Sequence, residues 1–259
     1  MRPWAGTRIL QSFYESLLMI ALTGMHIGGG AEVAESGERS VLKYVRKRII
    51  GREKPLVVDA GANVGGYSLL AQQILGSDVL IHAFEPSHVA FERLCEAVKI
   101  FENIYPHNIG LGNVSTATVL YSESEASGRA SLYDRRMGHY DVVLDKKETV
   151  NIETLDEFCL KNGIERIDFL KLDIEGHELK ALQGAARMLG EGRIDMIQFE
   201  FGQCNIDSRT FFQDFFYLLK DTYRISRVLK NGLRPIPEYR ESLEQFRRTS
   251  NFFAQRIGG

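Results

Sequence analysis

The sequence predicts an α/β protein: a mostly parallel sheet with helices on both faces. Three observations predict it. From residue 55 onward, apolar β-prone runs alternate with helical patterns of about 10 to 15 residues, as βαβ units require. The first run leads directly into a glycine-rich turn, Val57-Val-Asp-Ala-Gly-Ala-Asn-Val-Gly-Gly66, that opens a helix. Near the C-terminus, two β-like runs lack a clear crossover helix between them, which predicts an antiparallel edge strand.

The elements follow in order. Residues 7–23 and 39–50 have helical spacing, broken at Gly28-Gly-Gly30, and define an N-terminal helical extension over 1–50. The globular domain then spans 51–259. Its first strand is 56–58, its first helix 64–75 and its second strand 79–84. A helix over 87–101 follows, with Ser87 as N-cap, then a strand over 104–109. Residues 115–153 are less regular, with β-prone pieces at 116–121, 131–133 and 141–144 around a polar loop at 122–129. Helix 154–162, strand 167–172, helix 176–189, strand 196–201 and helix 210–221 restore the alternation. The last β-like runs are 224–229 and 251–256. The polar, proline-bearing segment between them, 231–248, is too long for a tight hairpin.

Composition narrows the class. A chain of 259 residues with 44% apolar and 25% charged residues is an ordinary globular protein long enough for one large α/β domain. Its net charge of −2 gives no basic field for nucleic acid. Cys95, Cys159 and Cys204 are widely spaced, without a CxxC pair, which suits a reducing compartment and predicts a cytoplasmic protein. The run Leu17–Leu22 is far below the roughly 18 residues that span a bilayer and has no basic segment leading into it. It reads as a packed amphipathic helix, with membrane-surface attachment as the alternative.

The glycine turn defines a cofactor seat. The dinucleotide fingerprint G-x-G-x-x-G has Asn63 at its middle glycine, where a pyrophosphate needs close backbone approach. No Lys-Ser/Thr pair follows, so a P-loop is excluded. The remaining pattern joins Asp59 at the strand end to Gly61, Asn63 and Gly65. It suits S-adenosylmethionine, whose carboxylate can meet helix N-terminal N–H groups while Asp59 accepts from its ammonium, directly or through water. Glu85-Pro86 ends the second strand, where Glu85 can accept from ribose hydroxyls or face the dipole of the next helix.

A second constellation, Lys171-Leu-Asp-Ile-Glu-Gly-His-Glu178, falls at the C-terminal end of another strand, where open α/β sheets bind ligands. Asp173 and Glu175 alternate with Ile174 and so can face one crevice, with Glu200 ending the neighbouring strand. Such carboxylates either supply a general base toward a hydroxyl or hold a divalent cation such as Mg²⁺. Helix capping and pairing with Lys171 or Lys180 is the structural alternative. His177 has equal claims to a structural and a catalytic role.

Taken together, Thr154-Leu-Asp-Glu-Phe158, the 167–178 stretch, Leu182-Gln-Gly-Ala185 and Ile197-Gln-Phe-Glu200 resemble the FkbM family of S-adenosylmethionine-dependent methyltransferases. The glycine turn with Phe84-Glu-Pro86 matches the first half of the same pattern. Ser36-Gly-Glu38, Ser127-Gly-Arg-Ala-Ser131 and Asn251-Phe-Phe-Ala254 look like further family features, so the resemblance covers about 36–256. It implies a class I methyltransferase fold (Rossmann-like), with a seven-stranded sheet parallel except for one antiparallel edge strand. It also implies O-methylation of a sugar, glycan or secondary metabolite hydroxyl. By that carry-over Asp59, Gly61, Asn63, Gly65, Glu85 and Pro86 belong to the cofactor. Asp173 to His177 border the acceptor by the same carry-over. From the residues themselves, Glu175 or His177 is the candidate base, Asp173 orients the acceptor or the cofactor amine, Glu200 is a further catalytic candidate, and metal assistance is left open.

Two other readings compete: an NAD-dependent oxidoreductase, and a methyltransferase-like binding module without catalysis. Acceptor choice is expected from 115–150, 203–210 and 231–248, where Tyr121, Tyr133, Arg135, Arg136, His139, Tyr140 and Arg234 can line a polar site. The N-terminal helices are expected either to cover that site or to form a homo-oligomer contact.

Overall fold

The computed structural model describes residues 6–30 and 36–258. After a short 3-10 turn come α1 (Gln11–Gly24) and α2 (Glu38–Ile49). The domain continues with β1 (Leu56–Ala60), α3 (Gly66–Leu75), β2 (Leu80–Phe84), α4 (His88–Val98) and β3 (Ile104–His107). Three short strands follow, β4 (Gly110–Leu111), β5 (Thr116–Ser122) and β6 (Lys146–Glu153), then α5 (Leu155–Lys161) and β7 (Ile167–Leu172). The remainder is α6 (Glu178–Gln183), α7 (Ala186–Gly190), β8 (Ile194–Gly202), α8 (Cys204–Ser208), α9 (Phe212–Leu219), β9 (Tyr223–Leu229), β10 (Gly232–Pro235) and β11 (Thr249–Arg256).

The main sheet has eight strands in the order β10-β9-β11-β8-β7-β1-β2-β3. Strands β3, β2, β1, β7 and β8 pair in parallel, while β11 runs antiparallel between β8 and β9. This is the class I methyltransferase arrangement with one strand added. One expectation is met and one is corrected. The sheet does end in an antiparallel edge strand, β10, and a second antiparallel strand, β11, lies inside it, paired on both sides, because the chain returns from β9 to the gap beside β8. The 231–248 segment is not one long loop: only Lys230 and Asn231 separate β9 from β10, which form a tight hairpin at the sheet edge.

Strand alternation divides the core. Val57 and Phe169 face α2, α3 and α4, whereas Val58 and Leu170 face α5, α6, α7 and α9. Helix α2 belongs to the first of these layers, since Val41, Leu42, Val45 and Ile49 are buried against Leu70, Ile74 and Phe253. Helix α1 differs. Leu22 is buried near its end, while Phe13, Leu17, Leu18 and Ile20 are exposed, so the packed amphipathic helix expected there is met only at its C-terminal turn. Among the described residues, no helix is long and apolar enough to cross a membrane.

The irregular segment is mostly a second, small sheet, β4-β6-β5, with Leu120, Val150 and Ile152 as its core. Strand β6 is absent from the sequence reading because its exposed face carries only polar residues. The piece expected at 131–133 reduces to one bridge, Ser131 to Tyr121, and 141–144 forms no strand. The helix expected over 176–189 breaks at Gly184, where a Cβ would lie 1.9 Å from the Gly112 carbonyl oxygen. Ser87 sits at the N-cap of α4 but its side chain does not cap; Thr154 does cap α5, accepting from the Glu157 N–H.

Candidate active site

The C-terminal ends of β1, β2 and β7 converge on one cavity of about 170 Å³. Its walls include Gly61, Asn63, Glu85, Pro86 and Asp173, Ile174, Glu175 and His177 of the turn after β7, and Leu120, Ser127, Gly128, Ala130, Ser131 and Leu132 close it from the small-sheet side. Gly61 has φ +85°, and a Cβ there would stand 1.8 Å from the Asp173 carbonyl oxygen, so only glycine lets the two loops meet. Asn63 is also left-handed, at φ +47°, a conformation that asparagine tolerates better than most residues. Gly65 (φ +89°) precedes α3 and packs against Leu94.

Glu85 is buried, and its carboxylate accepts from the Asn63 N–H at 2.9 Å and the Ser87 N–H at 2.8 Å. Burial pushes its carboxyl up to about 7, against the pull of those two N–H groups. Pro86 lines the cavity, and its carbonyl and that of Glu85 both accept from Asn108.

Asp59 does not line the cavity. It is wholly buried behind the turn, where Oδ2 accepts from the Ser68 hydroxyl at 2.6 Å and Oδ1 has no partner. A direct contact between Asp59 and a ligand in the cavity is therefore not offered by this geometry. Beside Asp59, at the paired position on β7, is Lys171, 2% exposed, with its ammonium 2.8 Å from Asp173 Oδ2, 3.6 Å from Glu38 Oε1 and 4.5 Å from the Tyr67 ring centre. Burial would lower Lys171, but the charges of Asp173, Glu38 and Asp59 outweigh it and hold the ammonium form. Burial would raise Asp173, and Lys171 outweighs it to keep Asp173 ionised.

Asp173 and Glu175 both wall this one cavity, as expected, but not by strand alternation, because β7 ends at Leu172 and Glu175 is left-handed at φ +52°. Asp173 turns to Lys171. Glu175 turns to Arg135, whose Nη1 donates to Oε2 at 2.5 Å, and the Cys204 thiol donates to the same oxygen at 2.8 Å. Glu178 holds the turn by accepting from the Ile174 and Gly176 N–H groups, and burial pushes its carboxyl up to about 7. Glu200, on β8, lies outside the cavity lining but meets Asp173 as the neighbouring strand ends required. Burial, then the Asp173 charge, hold Glu200 well above the carboxylate range, so it is the protonated partner of that pair.

The ring of His177 lines the cavity, and its Nδ1 is 3.0 Å from the Tyr133 hydroxyl. Burial, with Lys180 nearby, lowers its pKa to about 4, so the imidazole is neutral near pH 7. Among the described residues, no three His, Cys, Asp or Glu side chains are grouped to hold a metal ion. Of the three carboxylates considered for Mg²⁺, Asp173 is paired with Lys171 and Glu175 with Arg135.

A second cavity, of about 390 Å³, shares no lining residue with the first, and its Tyr133 and Arg135 contact His177 and Glu175 of that first cavity. It takes in Tyr133, Arg135, Arg136, His139 and Tyr140 from the acceptor candidates. Tyr121 stands apart on β5 under Lys147, and Arg234 lies on the edge strand β10.

The sequence reading named Ser127–Ser131 without a role; here Ser127 O accepts from Asn63 Nδ2, and Ser131 Oγ donates to Glu175 O. Pairing of the acids with Lys171, the structural alternative, holds for Asp173, whereas nothing in the sequence signals that Glu38 stands beside that lysine.

Residues 59–225 match the methyltransferase FkbM domain. The chain belongs to the FkbM methyltransferase family. Similar proteins include methyltransferase sdnD of Sordaria araneosa, 29% identical over 157 residues, which are 50% of this chain and 60% of that protein. Hexuronic acid methyltransferase AglP of Haloferax volcanii is 23% identical over 167 residues, 64% of each chain. This FkbM-family chain thus spans about three-fifths of the length of the curated relatives it matches. Methyltransferase FkbM from Methylobacillus flagellatus KT superposes with a TM-score of 0.49 at 17% identity, over 78% of this chain and 44% of that one.

Proposed function

We propose that the chain transfers a methyl group from S-adenosylmethionine to a hydroxyl oxygen of a sugar, glycan or other small-molecule acceptor. The observation that carries this reading is the meeting of the Gly61–Asn63 turn, Glu85 and the Asp173–His177 turn in one cavity. Helix α3 directs first-turn N–H groups toward the methionine carboxylate. Ionised Asp173 takes the ammonium, and Glu85 takes the ribose hydroxyls on lone pairs its two N–H bonds leave free. Asp59 supports the turn from beneath. The name of the Haloferax relative favours a sugar acceptor.

When bound, S-adenosylmethionine supplies an electrophilic methyl on a cationic sulfur, so the acceptor oxygen needs alignment and loss of its proton. His177 is the base in this scheme: Nδ1–H donates to the Tyr133 oxygen, leaving Nε2 to accept. Glu175 is held by Arg135 and Cys204 and acts as a positioning residue. Replacing His177 with Ala is expected to slow single-turnover methyl transfer by about 10²- to 10⁴-fold at saturating cofactor. An unchanged transfer rate would remove His177 from this role, and absence of any transfer by the wild-type chain would favour the non-catalytic module.

Glu85 gives the cofactor step a pH dependence. Its carboxyl in the free protein sits at about 7, and ribose binding requires the ionised form. S-adenosylhomocysteine affinity is therefore expected to fall about fivefold from pH 7 to about pH 6, and about tenfold for each unit below. Calorimetric titration of Glu85→Gln checks it: the variant should bind weakly at all pH values, with the pH dependence gone.

A further inference from the structure

We infer that α1 and the outer face of α2 dock this protein on an anionic lipid surface, α1 supplying the apolar contact and α2 the cations. The inference is independent of the methyl-transfer reading, because no residue of either helix lines the two cavities described above.

Helix α1 carries an apolar stripe with nothing packed on it. Phe13, Leu17 and Ile20 recur at i, i+4 and i+7, and Tyr14 and Leu18 lie beside them. All five are exposed, Phe13 by 57% and Ile20 by 69%, and the helix buries only Leu22. Glu15 is its single charged residue. An exposed apolar stripe of this kind marks an interaction surface. Fourteen residues rise only about 21 Å, so the helix can lie in a bilayer surface but not cross it.

The charge of the partner follows from α2. Arg39, Lys43 and Arg46 recur at the same i, i+4, i+7 spacing, Lys47 and Arg48 follow, and all five are exposed. None of them forms an ion pair with a carboxylate among the described residues. Glu38, the one acid of the helix, is buried toward Lys171. The whole chain carries a net charge of −2, so this face concentrates positive charge that the rest of the protein lacks.

The two helices meet at the β9–β10 hairpin. His26 Nδ1, just past α1, donates to the Val228 carbonyl at 3.1 Å, and the Ser40 hydroxyl of α2 donates to the Lys230 carbonyl at 2.8 Å. Lys43 and Lys47 line a cleft of about 340 Å³ against Asn231, Gly232 and Leu233 of the same hairpin. Arg247 adds a cation at the end of α1, where its Nη1 donates to the Ile27 carbonyl at 3.0 Å. A modest apolar anchor beside a polybasic face is the combination that holds a protein reversibly on anionic lipid. Nucleic acid would meet the cations but leave the apolar stripe in water. A second copy would cover the stripe, but a two-fold contact there sets the same basic face of each copy together.

Co-sedimentation of the full chain with vesicles of phosphatidylcholine, alone or mixed with phosphatidylserine, tests this. Binding should be at least tenfold tighter to the mixed vesicles and should weaken as salt rises. Arg39→Ala/Lys43→Ala/Arg46→Ala should weaken it about a hundredfold, roughly fivefold for each cation. Phe13→Ser/Leu17→Ser/Ile20→Ser should leave the protein in the supernatant. The removed side chains are exposed, so both variants should melt as the wild type does. No binding, equal binding to the two vesicle types, or binding that survives either triple variant overturns the inference. So does self-association in free solution that the α1 variant abolishes, or a variant that unfolds, which would place its stripe in the core.

Discussion

Replacing Lys171 with Met is expected to destabilise the fold by about 3–5 kcal/mol, the usual cost of removing one partner from a buried charge group. Among the described residues the lysine is the one cation placed among Glu38, Asp59 and Asp173, and each is buried or half-buried around it. Methionine fills similar volume but leaves three carboxyl groups facing one another. Glu38 and Asp59 are already held above the usual carboxylate range by burial, with Lys171 opposing that rise. Without it, the native state binds more protons than the unfolded chain near neutral pH. Stability of the variant should therefore fall as pH rises, and the deficit should be smaller near pH 5 than near pH 8. Urea unfolding at the two pH values measures this; a loss below about 1 kcal/mol, or one independent of pH, would show that the network is not held by the lysine charge. The same variant should weaken S-adenosylhomocysteine binding, because Asp173 loses the partner that keeps it ionised.

The second large effect is expected at Gly61. An alanine there must adopt φ +85° and bring its Cβ to 1.8 Å from the Asp173 oxygen and 3.2 Å from Ile174 Cγ2. The conformational strain costs about 1–3 kcal/mol and the overpacking a similar amount. The neighbour it strikes is backbone at the end of β7, so relief requires the two strand ends to part. Because the same two loops wall the cofactor cavity, stability and S-adenosylhomocysteine affinity should fall together. Gly66→Ala is the control: its added Cβ meets nothing within 4 Å and it opens α3, so its melting curve should stay within about 0.5 kcal/mol of wild type.

These two positions also mark what the sequence makes legible. Gly61 belongs to a local pattern, in which strand, turn and helix are contiguous, so the cofactor seat can be read from adjacent residues. The strand register that sets Asp173 beside Glu200 follows equally from apolar runs and their order. Lys171 is harder. Its surroundings come from α2, β1, α3 and β7, and only the tertiary fold brings Glu38 to it across more than a hundred residues. Strand alternation fails for Glu175 for a local reason: β7 stops at Leu172, and the left-handed turn redirects the side chain toward Arg135. The β9–β10 hairpin fails because the polar stretch 231–248 hides a four-residue strand at its start.

The measurement that tests the central claim most directly is a thermal-shift titration of the wild-type chain with S-adenosylhomocysteine and with NAD. At a ligand concentration about 100 times its Kd, S-adenosylhomocysteine should stabilise the protein by about 2.7 kcal/mol, while NAD at the same concentration leaves the melting temperature unchanged. Stabilisation by NAD with no response to S-adenosylhomocysteine would contradict the assignment of the Gly61–Asn63 turn and Glu85 to a methyl donor.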